Sequence, residues 1–214
     1  MTLTRRSAVA ALGAATLAPA LPAFAQSLEE KGYIIGDVPM GDENAPVTVI
    51  EYASLTCPHC AAFHQTNWEP LKTNFIDTGR VKFVMREVYF DQFGLWGAML
   101  ARSGGEAAYH TMIDKLLYNQ TAWYQNHVRA YQSTKNPRPI VDSLMQIGRQ
   151  VGMSNKRMTE ALQDANFLEA LVEDYRANAQ ADNVRSTPTF MINGRQVTGN
   201  MSPEAFAAEI ESSS

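Results

Sequence analysis

Hydrophobic and polar positions follow two rhythms along this chain. The run VTVIEYA, Val47 to Ala53, is β-branched and mostly apolar, as a buried strand would be. Apolar positions then recur at helical spacing: Cys60, Phe63, Trp68, Leu71 and Phe75. Pro70 lacks an N–H and is expected to kink that helix or end its first part near Glu69. VKFVMREVYF, Val81 to Phe90, reads as a second strand. Strand, helix and strand in this order predict a parallel pair joined by a right-handed crossover.

Helical spacing then takes over. Four stripes read as core: Phe93, Trp96, Leu100; Tyr109, Met112, Ile113, Leu116; Ile140, Leu144, Ile147, Val151; and Phe167, Leu171, Tyr175, Ala179. Polar NQTAWYQNHVRAYQSTKNPRP, residues 119–139, is expected to break the helices in the middle. TPTFMINGRQVTG predicts a hairpin, with a strand to Ile192, a type I′ turn at Asn193-Gly194, and a return through Val197 and Thr198. Ser202 is placed to cap a last helix that has Pro203 in its first turn. Residues 26–46 read as loose chain. The order predicts an α/β unit over residues 41–90 and 184–214, interrupted by an all-helical insertion over 91–183.

Residues 1–25 stand apart. Arg5 and Arg6 precede SAVAALGAATLA, and Ala23-Phe24-Ala25 closes the segment, the pattern of a cleaved export signal. A membrane anchor needs roughly 20 strongly apolar residues, and the alanines, Pro19 and Pro22 make this a poor span. TRRS resembles a twin-arginine signal, but Ala8 stands where that pattern prefers a large apolar residue, so the Tat and Sec routes are both open. Removing 25 of the 214 residues leaves 189, with 16 basic against 22 acidic side chains and a net charge of −6. That length suits one domain with a large insertion. The acidic balance disfavours nucleic acid, where neutralising phosphates drives binding. The expectation is a soluble, exported, globular protein.

The chain has two cysteines, both in LTCPHCAAFH, at positions 57 and 60. A bridge over so short a loop stabilises little as a staple, about 2 kcal/mol against nearly 5 for a long loop. Haem attachment needs histidine directly after the second cysteine, and that residue is Ala61. A zinc site needs four ligands; His59 and His64 could supply two, but His59 lies inside the tight turn. Unrelated free thiols would oxidise in an exported protein. A redox pair accounts for every residue of the stretch. Cys57 follows a strand and precedes a helix, whose exposed N–H groups and dipole favour a thiolate. Pro58 takes the first helical position, where its missing N–H costs nothing. Cys60, one turn in, suits a covered resolving thiol, so Cys57 is expected to be accessible and Cys60 not. His59 either adds positive charge beside the thiolate or is a solvated turn residue. Glu51, in an apolar strand, either has a task such as proton acceptor for Cys60 or faces water at a sheet edge.

With these residues in view, the chain resembles the DsbA-like thiol–disulfide oxidoreductases, which carry a thioredoxin fold with an inserted helical domain. Cys57-Pro58-His59-Cys60 is the DsbA quartet, and STPTF, Ser186 to Phe190, resembles the segment in which a cis-proline, here Pro188, faces the disulfide. Glu51 matches the family's buried acid. The resemblance runs from about Gly41 to Ile210. It implies a Cys57–Cys60 disulfide in the working form, donated to unfolded or folding exported proteins in the periplasm. Such substrates would lie extended along Thr187 and Pro188, on backbone groups left free at Ser186 and Thr187. It further implies a monomer that needs no cofactor and a quinone-linked membrane reoxidant resembling DsbB. Thr187, before the proline, resembles the isomerase branch more than the best-known oxidases. A disulfide isomerase or client-specific reductase is therefore the alternative, and a thioredoxin-fold metal carrier is the alternative of another class.

Overall fold

The sheet forms around its most apolar strand. In the computed structural model, which describes residues 23–213, β2 (Val47–Ala53) lies at the centre of a five-stranded sheet. It pairs in parallel with β3 (Val81–Glu87), as the strand–helix–strand order predicts, with Val49 opposite Phe83 and Glu51 opposite Met85. On its other side it pairs antiparallel with β4 (Thr189–Ile192), Glu51 opposite Phe190. β4 returns through β5 (Arg195–Thr198). The turn between them carries φ of 47° at Asn193 and 81° at Gly194, the two positive values a type I′ turn requires. A two-residue strand, β1 (Pro39–Met40), closes the other edge against β3.

Helix α2 (Pro58–Leu71) crosses between β2 and β3. It neither ends near Glu69 nor breaks at Pro70. Instead it runs through the proline and continues into a π-helical turn, Lys72–Ile76, in which Phe75 and Ile76 stay buried. β3, in contrast, stops three residues short of the expected Phe90. The Asp91 side chain caps the next helix, accepting from Phe93 N at 2.8 Å and Gly94 N at 3.0 Å, so the chain leaves the sheet and Phe90 is 59% exposed.

Between β3 and β4 the described chain is helical: α3 (Gln92–Ser103), α4 (Glu106–Tyr118), a π-turn (Thr121–Gln125), α5 (Asn126–Thr134), α6 (Arg138–Gln150), α7 (Asn155–Gln163) and α8 (Ala165–Ala181). The polar stretch 119–139 thus interrupts the helices only briefly, at Asn119 and at residues 135–137, and is otherwise helical. Trp123 anchors it: the ring is buried and its Nε1–H donates to Leu116 O at 2.7 Å. The non-helical residues of the stretch are Asn119, which ends α4, and 135–137, where Lys135 ends α5 at φ 54°. The first three stripes form core as predicted apart from half-buried Trp96 and Val151, but α8 buries Phe167 and Leu171 and leaves Tyr175 and Ala179 half-exposed.

The segment before β2 is not loose. α1 (Ala23–Glu30) leads to Tyr33, which stacks on Phe167 at 4.3 Å, and Leu28, Tyr33 and Val38 are buried. The export signal expected over residues 1–25 lies outside the described residues except for its last three. The closing helix α9 (Pro203–Glu211) is capped by Ser202 Oγ at 3.2 Å from Ala205 N, as predicted, and packs Phe206 against Phe63 and Phe190. The fold is a thioredoxin-type sheet and helices with a helical insertion.

Candidate active site

The site lies where β2 gives way to α2. Cys57 is the N-cap, with extended backbone (φ −79°, ψ 120°), and Pro58 is the first helical residue. Cys57 N donates to Ser54 O at 3.1 Å, closing the turn that aims the sulfur at the helix end. Both cysteines are free thiols in this structure. Cys57 is 8% exposed and Cys60 0%, so the predicted order of access holds but the entry sulfur is far from open. The cover is the segment before β4. The Thr187–Pro188 bond is cis and Pro188 is buried, as the resemblance implied. Thr187 O accepts a hydrogen bond from Cys57 Sγ at 3.6 Å. Ser186 O is likewise occupied, by Thr189 Oγ1 at 2.8 Å, so neither carbonyl is left free as expected.

Cys57 is lowered to about 5. The Cys60 thiol donates to it, and the Thr187 hydroxyl and the backbone N–H groups of Cys60 and His59 add to this against the cost of burial. His59 therefore acts through its backbone; its side chain is exposed. The Thr187 hydroxyl is buried without a hydrogen bond, and its interaction with the two sulfurs favours the thiolate on both. Cys60 moves the opposite way, held protonated by its bond to Cys57, by burial and by the Glu51 charge. One sulfur is thus a ready thiolate and the other a thiol, the arrangement disulfide exchange uses.

Glu51 is on a central strand and 0% exposed, which overturns the edge reading. Its partner is His64, 0% exposed, whose Nε2 lies 3.0 Å from Glu51 Oε2. Among the described residues no cluster of three or more His, Cys, Asp or Glu side chains is arranged to hold a metal ion, and His64 is committed to Glu51.

The insertion grips the site loop. Gln120, fully buried after α4, donates through Nε2 to Leu55 O and to Cys57 O, both at 2.9 Å. Its own oxygen accepts from Gln125 Nε2 at 2.7 Å. Thr56 Oγ1 donates to Asp91 Oδ2 at 2.7 Å, and Tyr124 OH adds a bond to the same oxygen at 3.2 Å. Sequence reasoning missed these holders. For His64 a signal exists, since it lies four residues after Cys60 and so on the same helix face. Asp91 bears the mark of an N-cap before an apolar helix. Gln120 sits in polar sequence and carries no such mark.

Against known proteins, a family model described as thioredoxin matches residues 34–212. A Rickettsia conorii protein named a protein-disulfide oxidoreductase is 32% identical over 177 residues, 82% of this chain and 59% of that protein. The chain thus spans 59% of the length of that curated relative. Disulfide bond formation protein D of Bacillus subtilis is 26% identical over 77% of this chain and 71% of its own. Among solved structures, alpha-DsbA1 of Wolbachia pipientis has a TM-score of 0.72 at 24% identity, covering 84% of this chain and 91% of that one. This is a likeness of fold.

Proposed function

The chain belongs to the thioredoxin family, and on that premise we propose that it is a thiol–disulfide oxidoreductase whose Cys57–Cys60 pair donates disulfides to exported proteins. The observation that carries the reading is the split between the two thiols: Cys57 lowered to about 5 and Cys60 held protonated. Taking about 8.5 for an unfolded cysteine, the Cys57 thiolate stabilises the reduced fold by about 2.7 kcal/mol at pH 7. For a two-electron couple that is about 60 mV toward oxidising power.

In the working cycle a substrate thiolate attacks Cys57 Sγ. The Cys57–Cys60 bond breaks, and its electron pair leaves on Cys60, which takes up a proton. A second substrate thiolate then attacks the substrate sulfur of the mixed disulfide, and Cys57 departs as the stabilised thiolate. The products are an oxidised substrate and a reduced protein. Pro58 presets the helix start, Glu51 serves the proton of Cys60, and Thr187 and Pro188 form the wall against which an extended client lies. Binding there displaces the Thr187 O···Cys57 contact, which ties substrate entry to exposure of the sulfur. Residues 91–183 act as an inserted helical domain between the two parts of the thioredoxin-like domain, 41–90 and 184–214. The protein acts as a periplasmic monomer, reoxidised by a quinone-linked membrane protein resembling DsbB.

Equilibration with glutathione tests the direction. A potential above about −200 mV is expected, whereas one near thioredoxin's, about −270 mV, would overturn donation. Thr187 keeps the isomerase reading in play, and a scrambled-disulfide substrate separates the two: a donor oxidises reduced substrate quickly and reshuffles scrambled substrate slowly.

A further inference from the structure

The loop that carries the entry sulfur is held from outside its own domain. Leu55, Thr56 and Cys57 each bond to the helical insertion. Gln120 Nε2 gives one hydrogen to Leu55 O and the other to Cys57 O, both at 2.9 Å. Thr56 Oγ1 donates to Asp91 Oδ2 at 2.7 Å, and Tyr124 OH donates to the same oxygen at 3.2 Å. The loop's own bonds, Cys57 N to Ser54 O and Thr56 N to Ser54 Oγ, reach back only to Ser54. They shape the turn but leave it free to swing as a unit, and the insertion ties it to a second body of structure.

A π-turn builds this grip. Gln120 opens the turn Thr121–Gln125. Residues five apart diverge around an α-helix, whereas the i→i+5 closure of a π-turn sets them one above the other. Gln125 thereby comes over Gln120 and donates to its Oε1 at 2.7 Å, and Thr121 Oγ1 donates to Gln125 Oε1 at 3.1 Å. Gln120 is 0% exposed and bonded at both ends of its amide, so its donors have one orientation. Cys57 O also accepts from Ala61 N at 3.1 Å, the first bond of α2. Fixing that carbonyl fixes the first helical turn against the nucleophile. Of the groups that favour the Cys57 thiolate, the Cys60 thiol comes first, and it and the N–H groups of Cys60 and His59 all sit in that turn.

We propose that Gln120 is a positioning residue for disulfide exchange, which holds the Leu55 and Cys57 carbonyls so that Cys57 Sγ stays within closing reach of Cys60 while a client is attached. The inference rests on exchange at Cys57–Cys60. In the mixed disulfide Cys57 carries the client sulfur, and a client lacking a second thiol departs when Cys60 attacks Cys57 Sγ. The Cys57–client bond breaks and the Cys57–Cys60 bond forms. The client sulfur leaves with the electron pair of the broken bond and takes up, by way of water, the proton that Cys60 gives up. A client chain pulls on Cys57 throughout, toward the side where it displaces the bond from Cys57 Sγ to Thr187 O. Gln120 resists that pull through the backbone, so stalled clients are expelled rather than kept.

The test is equilibration of the full-length protein with reduced and oxidised glutathione, followed by acid quenching. Mass spectrometry then counts the dithiol, the Cys57–glutathione mixed disulfide and the Cys57–Cys60 disulfide. The ratio of disulfide to mixed disulfide, times the reduced glutathione concentration, is the effective concentration of Cys60 at Cys57. Gln120→Met keeps the bulk and removes the donors. It should lower this concentration about ten- to a hundredfold and raise the Cys57 thiolate midpoint. Gln125→Ala, on an exposed side chain, should move both in the same direction by less. Leu171→Ala is the control for lost stability, since Leu171 is buried in the apolar cluster around Tyr33 and Phe167 and not in the one that contains the cysteines. It should lower the melting temperature and leave effective concentration and midpoint unchanged. A folded Gln120→Met with wild-type effective concentration and midpoint overturns the proposal, whatever its melting temperature. An equal fall in Leu171→Ala overturns it too, because stability alone would then account for the effect. Should Gln120→Met not fold, Gln125→Ala decides, and wild-type values there overturn it. Wild-type protein that forms no Cys57–Cys60 disulfide at any glutathione ratio instead removes the disulfide-exchange reading, and the positioning role with it.

Discussion

Lowering the pH from 7 to 4 should cost the reduced protein stability that the oxidised protein keeps. The perturbed group is Cys57, lowered to about 5 in the fold and about 8.5 when unfolded. A depressed pKa means the folded state releases its proton first. Stability from the thiolate is therefore fully present above about 8.5 and is lost as pH falls through about 5. At pH 7 it amounts to about 2.7 kcal/mol, and at pH 4 to about 0.1 kcal/mol. The oxidised form has no thiol to titrate, so subtracting its stability at each pH cancels the carboxylates and histidines that both forms share. The assay is guanidinium unfolding of both redox forms at pH 4, 5, 6 and 7, with thiolate absorbance at 240 nm followed in parallel. The stability of the reduced form relative to the oxidised form should fall by about 2.6 kcal/mol on acidification. In thermal scans this is roughly 5–10 °C for a chain of this size. A gap constant within about 0.5 kcal/mol, or a thiolate midpoint above about 8, near that of a free cysteine, would refute the reasoning.

Thr187→Val removes a buried hydroxyl that has no hydrogen-bond partner and favours the Cys57 thiolate, so it should raise the Cys57 midpoint by about one unit, the worth of one bond to a charge, and leave the melting temperature nearly unchanged. His59→Ala deletes an exposed imidazole and keeps the backbone N–H; the midpoint should rise by only a few tenths of a unit in dilute buffer and by nothing at 1 M salt, where charges are screened within about 3 Å. A full-unit shift that survives high salt would instead place the imidazole at the sulfur. Gln120→Leu strips the donors from Leu55 O and Cys57 O; urea unfolding should show a loss of about 2–4 kcal/mol, and a loss under 1 kcal/mol would mean other groups hold the loop.

How far these features could be read in the sequence depends on their range. Strand β2, the Asn193-Gly194 turn and the Ser202 cap are written in neighbouring residues, and each formed where the pattern placed it. Cys57 at a helix N-terminus follows from the strand before it and Pro58 after it. Where local signals failed, tertiary packing had overridden them. Pro70 lies inside a helix that carries Trp68, Leu71, Phe75 and Ile76 into the core, and their burial outweighs its missing donor. The polar stretch after α4 stayed helical because one tryptophan pins it. Glu51 was legible as an anomaly but not as a pair, since His64 approaches it across the interface between strand and helix. Gln120 lies 63 residues from the carbonyl of Cys57, beyond the reach of any periodicity.

The shortness of the outer strands bears on the company this protein keeps. An exposed sheet edge is a row of unpaired N–H and C=O groups, and any extended chain that meets it can add as a further strand. Here one edge offers two residues, Pro39 and Met40, the first a proline with no N–H to give. The other offers four, with Arg195 and Gln196 exposed along it. A protein proposed to work among unfolded chains thus gives them little to polymerise on. On the proposed function, the covered thiol beside Thr187 is then the place where contact with a client becomes chemistry, and a client can depart without having seeded a fibre.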